Sequence, residues 1–241
     1  MTSIILISTL AGLTTTVGAL LVVLLGKPSV KALALLLGFA AGVMIAISAF
    51  ELLPEAVHLG SRWQAVVGFI LGAGLMYSLD ALIPHAHIGS GSADGDTGNG
   101  EMLKLGYFLF LGIALHNLPE GLAIGAGYTS SLKVGGAIAI SLTLHKVPEG
   151  MATAVPLIMG GMNKYRVVLL ATLAGLMTPL GTLIGAILFR LSPGMVSLAL
   201  AFAAGAMVYI ASDELMPQSQ RYHDHLANLG LLGGFILGFL I

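Results

Sequence analysis

Apolar runs of roughly 17 residues or more alternate along this chain with short polar, Gly- or Pro-containing breaks. The pattern predicts eight membrane-spanning helices, over roughly Ser3–Gly26, Ala32–Leu53, Gln64–Ile83, Met102–Tyr128, Ser131–Met159, Tyr165–Leu191, Gly194–Met216 and His225–Ile241. The first run has neither a basic leader nor a small-residue cleavage site before it, so it reads as a retained helix. One connection is long, 84–101. Its centre, Gly-Ser-Gly-Ser-Ala-Asp-Gly-Asp-Thr-Gly-Asn-Gly, is a flexible linker with nothing to bury. The expectation is a single all-α integral membrane domain over 1–241.

The apolar pattern repeats. Leu10-Ala11-Gly12-Leu13 returns as Leu173-Ala174-Gly175-Leu176, Phe39-Ala40-Ala41-Gly42 as Phe202-Ala203-Ala204-Gly205, and Glu51-Leu52-Leu53-Pro54 as Glu214-Leu215-Met216-Pro217. All three share one offset, and about 20 of 45 positions between Leu10 and Pro54 are identical to their counterparts. Gly68-Phe69-Ile70-Leu71-Gly72 reappears as Gly234-Phe235-Ile236-Leu237-Gly238. Spans one to three (about 3–83) are thus related to spans six to eight (about 165–241), and five crossings separate each span from its partner. An odd number inverts the copy, which predicts a 3+2+3 inverted repeat of the kind found in transporters. Lys27, Lys31, Lys104, Lys164, Arg166 and Arg221 fall in the odd loops, against Arg62, Lys133 and Arg190 in the even ones. The positive-inside rule then puts both termini outside the cell membrane and the 84–101 linker in the cytoplasm.

Composition narrows the class further. The chain is 57% hydrophobic and 9% charged with mean hydropathy +0.98, where a soluble domain carries about 25% charged residues. A net charge of -1 without a basic patch argues against a nucleic-acid partner, so the partners expected are the lipid bilayer and a small ion. Without Cys, metal ligands are confined to His, Asp, Glu, Asn and Met. The 33 Gly point to close helix packing in lipid.

The chemistry lies in spans four and five. His116-Asn117-Leu118-Pro119-Glu120-Gly121 and His145-Lys146-Val147-Pro148-Glu149-Gly150 are near-copies, each close to the middle of its run. Within each copy His and Glu are four residues apart and share a helix face. Glu120, Glu149 and Lys146, ionised and unpaired at mid-membrane, would together cost roughly 8–10 kcal/mol. Two imidazoles and two carboxylates converging on a shared cation offset that cost and suit a divalent transition metal. Pro119 and Pro148 free carbonyls at Leu115 and Leu144 and bend their helices, and Gly121 and Gly150 admit close neighbours. A network that merely pins two helices is the plainer alternative; duplication at the symmetry centre argues against it. Asn117 either offers its oxygen to a metal or pairs with backbone. Lys146, protonated, cannot ligate and neutralises a carboxylate instead.

Other polar residues mark a path. Glu51 and Glu55 close span two on the outside, and Asp213 and Glu214 close span seven on the inside, so Glu51 and the Asp213–Glu214 pair read as entrance and exit. His85 and His87 flank the linker, either solvated or handling metal. Met44, matched by Met207, is a packing residue or a soft ligand. His58, His223 and His225 read as interfacial.

These residues, with Leu82-Ile83-Pro84-His85-Ala86-His87 and Asp213-Glu214-Leu215-Met216-Pro217, resemble the ZIP (ZRT/IRT-like) family of divalent-metal transporters over nearly the whole chain, closest to its bacterial ZupT-like branch. The resemblance implies uptake into the cytoplasm and a metal centre between helices four and five. It also implies a homodimer in which helices one, four, five and six move as a block against the rest. Members with two metals hold one ion on positions matching His116, Glu120, His145 and Glu149. The other sits on those of Asn117, Glu120, Lys146 and Glu149, joined by a Glu from helix six. This chain has Lys146 where an Asn or Asp would ligate and Thr178 where that Glu would stand. The expectation is one transported ion, with the Lys146 ammonium in place of the second.

The function expected is import of a divalent transition metal, zinc foremost, with Cd2+, Fe2+, Mn2+ and Ni2+ permitted by the ligand types. Binding should weaken as the histidines protonate in mild acid. An intramembrane metal-dependent hydrolase is the rival reading, but no His-Glu-x-x-His is present and inverted symmetry favours transport. A proton-coupled carrier of organic solutes would use the same acids without metal.

Overall fold

A computed structural model describes residues 2–26, 29–82, 99–191 and 195–240. His85 and His87, and 83–98 of the linker region, lie outside the described residues. The helices are α1 (Thr2–Leu25), α2 (Val30–Ile47), α3 (Leu53–Leu59), α4 (Arg62–Leu82), α5 (Asn99–Ser130), α6 (Leu132–Met159), α7 (Lys164–Gly175), α8 (Met177–Leu191), α9 (Val196–Ile210) and α10 (Met216–Leu240). No strand occurs among the described residues. Among the described residues, five stretches are long and apolar enough to cross a membrane: Thr2–Leu25, Val30–Leu59, Asn99–Ser130, Lys164–Phe189 and Val196–Leu240. The last has 45 residues, about 67 Å as one helix and twice a bilayer core. It is not one helix, because the backbone is extended at His223 (φ -171°, ψ 101°) and α10 turns there.

Polarity is distributed inside out. Leu24, Leu25, Ile70, Leu232, Phe239 and Leu240 are exposed, whereas His116, Asn117, Glu120, His145, Lys146 and Glu149 are buried. A soluble monomer does not expose apolar surface on this scale, and lipid tails cover it without cost. With five candidate spans, this is a multi-pass membrane protein.

Prolines explain the irregular turns. α2 and α3 are joined by a π-helical turn, Ser48–Leu52, and α9 and α10 by another, Ala211–Leu215. In each, the residue after the turn donates five residues back, Leu53 to Ser48 and Met216 to Ala211. Pro54 and Pro217 follow immediately and lack an N–H, so a wider turn satisfies a ladder that proline interrupts. The span predicted as a single helix from Tyr165 to Leu191 breaks at Leu176, between α7 and α8. Pro179 sits in the first turn of α8, where a missing N–H costs nothing. Pro119 and Pro148, by contrast, end neither α5 nor α6. Gly161 (φ 83°) turns the chain between α6 and α7, in a conformation open to glycine.

Backbones approach closely at glycines, and the approaches come in pairs. A Cβ on Gly12 would strike the Gly175 carbonyl, and one on Gly175 the Gly12 carbonyl. Gly18 of α1 lies on Val147 of α6 as Gly181 of α8 lies on Leu118 of α5. Gly150 meets Thr15 as Gly121 meets Thr178. Elsewhere Gly42 of α2 meets Leu231 of α10, and Gly205 of α9 meets Phe69 of α4. The helices α1, α5, α6, α7 and α8 therefore pack around the two motifs, while α2 packs chiefly on α10 and α4 on α9. Arg221 ties α10 to α5 at one end, 2.5 Å from Glu101 of α5. Because the Gly12–Gly175 crossing is backbone on backbone, Gly12→Val should cost about 1–3 kcal/mol or more. A lower melting temperature in detergent would report it; an unchanged one would mean that α1 and α7 can separate freely.

Candidate metal centre

α5 and α6 lie side by side, and each presents its His and Glu one turn apart to the other. His116, Glu120, His145 and Glu149 each offer a ligand atom, and those atoms all lie within 4.8 Å of one another. All four side chains are essentially without solvent exposure. His145 Nε2 is 2.7 Å from Glu120 Oε1, His116 Nε2 is 3.5 Å from the same oxygen, and His116 Nε2 also pairs with Glu149 Oε1. Each carboxylate thus turns one oxygen toward the imidazoles. Two nitrogens and two oxygens at this spacing match the ligand number and type of a tetrahedral zinc site.

The other carboxylate oxygens face a different cation. Lys146 is the largest fully buried side chain among the described residues. Its Nζ donates to Glu120 Oε2, to Asn117 Oδ1 and, at 3.3 Å, to Glu149 Oε2. Three acceptors, two of them charged, saturate an ammonium. Hydrogen bonds to charged groups contribute about 1.5–3 kcal/mol each, enough together to offset the roughly 2.5–3.5 kcal/mol cost of a mid-membrane lysine. Asn117 is consumed by the same arrangement. Its Oδ1 accepts from Lys146 while its Nδ2 donates to the Ala174 carbonyl at 2.9 Å, in the last turn of α7. Of the two alternatives for Asn117, the backbone partner is present, and its oxygen meets an ammonium.

The remaining site candidates scatter more widely. Thr178 is fully buried, its hydroxyl makes no hydrogen bond, and its backbone packs on Gly121. Met44 is fully buried in the apolar core. Glu51 does not end its helix as expected: it lies on the π turn Ser48–Leu52 inside the continuous stretch Val30–Leu59. Asp213 and Glu214 occupy the matching π turn, Asp213 exposed and Glu214 buried. The signal for both turns, a proline just after the acid, is present in the chain, but a proline does not distinguish a helix end from a wide turn. Ser141 is the residue that sequence reasoning passed over. It stands one turn before His145, and its hydroxyl donates to the Ala137 carbonyl at 3.1 Å.

A family model for the ZIP zinc transporters matches residues 83–241. Curated relatives align over almost the whole chain. A zinc transporter ZupT of Akkermansia muciniphila is 36% identical, with 96% of this chain and 93% of that protein aligned. The ZupT of Chlorobium luteolum is 38% identical over 95% and 92%. That of Corynebacterium glutamicum is 40% identical over 93% and 92%.

Proposed function

Since this chain belongs to the ZIP zinc transporter family, a transporter rather than an enzyme, we propose that it carries Zn2+ into the cytoplasm through the His116, Glu120, His145 and Glu149 cup. The observation that carries this reading is the convergence of two imidazoles and two carboxylates, all buried, from two adjacent helices. Such a set is expensive in a membrane unless a cation recurrently occupies it. Transition metals other than zinc fit the same ligands, and Cd2+, Fe2+, Mn2+ and Ni2+ are competitors to be ranked by flux.

The cup holds one ion. Glu120 and Glu149 contribute two negative charges and Lys146 one positive, so a divalent ion beside neutral imidazoles leaves one positive charge. Lys146 occupies the oxygens of Asn117, Glu120 and Glu149 that a second ion would need. Thr178 supplies no additional charge.

Movement follows an inverted 3+2+3 architecture. Supporting it are the contacts made twice, Gly18 on Val147 with Gly181 on Leu118, and Gly150 on Thr15 with Gly121 on Thr178. Gly68 and Gly72 of α4 meet Leu198 and Phe202, as Gly230 and Gly234 of α10 meet Leu35 and Phe39. These contacts support a match one helical turn from the one suggested by the shared Gly-Phe-Ile-Leu-Gly. Glycines recur every four residues in α10, and packing selects among them by turn, not by the intervening apolar letters. The group α1, α5, α6, α7 and α8 moves the cup between faces against α2, α4, α9 and α10, in a homodimer of the cell membrane with both termini outside. Glu51 serves as entrance and Asp213 with Glu214 as exit.

The test is zinc flux into proteoliposomes alongside metal content of the purified protein. One zinc per chain with gradient-driven uptake is expected. Protein that carries no zinc and passes none would remove the proposal.

A further inference from the structure

Asn117 stands in the first motif where Lys146 stands in the second, and the two side chains meet. Asn117 also spans from the cup to α7, since its Nδ2 donates to the Ala174 carbonyl at 2.9 Å. A carbonyl only accepts and an ammonium only donates, so these two partners leave the amide a single orientation. The acceptor on α7 is supplied by the break in the fold. Ala174 lies two residues before Leu176, where α7 ends, and the last four carbonyls of a helix turn to donors from outside its ladder. Its counterpart in the repeat, Ala11, lies inside the unbroken helix α1, and its carbonyl accepts from Thr14 of the same helix.

We propose that Asn117 is a positioning residue for zinc: anchored on α7, it takes one hydrogen of the Lys146 ammonium and so keeps that cation on the Oε2 side of the cup. The inference rests on the proposed zinc cup and adds what holds its two cations apart. The ammonium has three hydrogens and, counting Asn117, three acceptors. The other two acceptors belong to carboxylates whose Oε1 atoms meet the imidazoles. Without the amide, one ammonium hydrogen is left over in a site closed to solvent. The acceptors next in reach are the same two Oε1 atoms, which an ion between the imidazoles would use. An unpaired buried donor is costly, so the lysine would turn to them and compete with the incoming ion. An amide suits this task because it both donates to the α7 carbonyl and accepts from the lysine. A carboxylate could do only the second, and an apolar side chain neither. Because α5, α6 and α7 all pack around the motifs, the strut travels with the cup in the proposed movement.

A double-mutant cycle on zinc binding to the purified protein, read by isothermal titration, isolates the effect. Beside native Lys146, Asn117→Leu should weaken binding of the first zinc about tenfold, the equivalent of one hydrogen bond to a charged group. Beside Lys146→Met, Asn117→Leu should leave the Kd of the first zinc unchanged, since no ammonium remains to be held. A merely structural asparagine, or one that ligates zinc itself, would lose affinity in both backgrounds.

A native Kd in Asn117→Leu, or an equal loss in both backgrounds, overturns the proposal. Should Asn117→Leu fail to fold with Lys146 in place, the comparison of Lys146→Met with the double variant still decides. Equal affinities there support the proposal, and a tenfold loss in the double variant overturns it. Glu120→Ala, titrated in parallel, separates the two levels. Zinc binding abolished there, without coupling between Asn117 and Lys146, refutes the positioning role alone, whereas undiminished binding refutes the cup on which it rests.

Discussion

Zinc uptake by proteoliposomes is expected to fall to the protein-free background when Glu120 or Glu149 is replaced by alanine. Each carboxylate turns one oxygen to the imidazoles and one to Lys146. Removing either deletes a metal ligand and leaves the cup, at zero net charge with the lysine, unable to compensate a divalent ion. The fold also suffers, since taking one partner from a buried ion pair costs about 3–5 kcal/mol. The two losses are distinguishable. Glu120→Gln keeps the volume and an acceptor oxygen, so it should fold better than Glu120→Ala yet still fail to transport. Wild-type flux in both alanine variants, at wild-type protein levels in the vesicles, would show that the ion takes another route.

The second large effect concerns Lys146. Lys146→Asp should raise bound zinc from one to two ions per chain. Electrostatics sets the choice of residue. In the native cup two carboxylates and one ammonium with a single zinc sum to one positive charge. With aspartate, three carboxylates and two zinc ions sum to the same value. The oxygens of Asn117, Glu120 and Glu149 that now hold the ammonium would be free for the second ion, at a distance from the first set by two bridging carboxylates. Elemental analysis after gel filtration, with anomalous scattering at the zinc edge in crystals, counts the ions. Two ions in the native protein, or one in Lys146→Asp, would end the account of Lys146 as a tethered cation. Transport by the variant should slow, because an extra ion must be dehydrated, carried and released with the first.

The residues of the site were legible in the chain because a membrane makes them conspicuous. An ionisable group amid apolar letters requires a reason, and the duplication of His-x-x-Pro-Glu-Gly supplies one. Periodicity alone placed His116 with Glu120 and His145 with Glu149. The all-helical class followed from the same source, as an unpaired backbone cannot cross hydrocarbon. The double role of Lys146 was only half legible. Its charge announced a carboxylate partner, but not that one ammonium would take both carboxylates and Asn117 together.

The irregular turns were less accessible. Glu51 and Glu214 looked like helix ends, since a proline three residues on is compatible with a helix end as well as with a π turn. The break at Leu176 was hidden by an apolar run that continues across it without a change of composition. Which glycines of α10 meet α2 was hidden for a related reason: a stripe of glycines every four residues permits several registers.

What this sequence determined by itself is the local and the one-dimensional: which segments are apolar and helical, which ionisable groups they carry, and which face of each helix those groups share. These follow from solvation and helical period, properties a residue possesses wherever its helix is placed. The tertiary structure alone decided which oxygen of Glu120 meets an imidazole and which meets Lys146, and which register of glycines locks α2 to α10. It likewise put Gly112 against Glu214, far away in the chain. Those outcomes depend on ångström-scale contact between helices that share no sequence neighbourhood, where backbone carbonyls and missing Cβ atoms, invisible to any hydropathy pattern, choose among alternatives of equal composition.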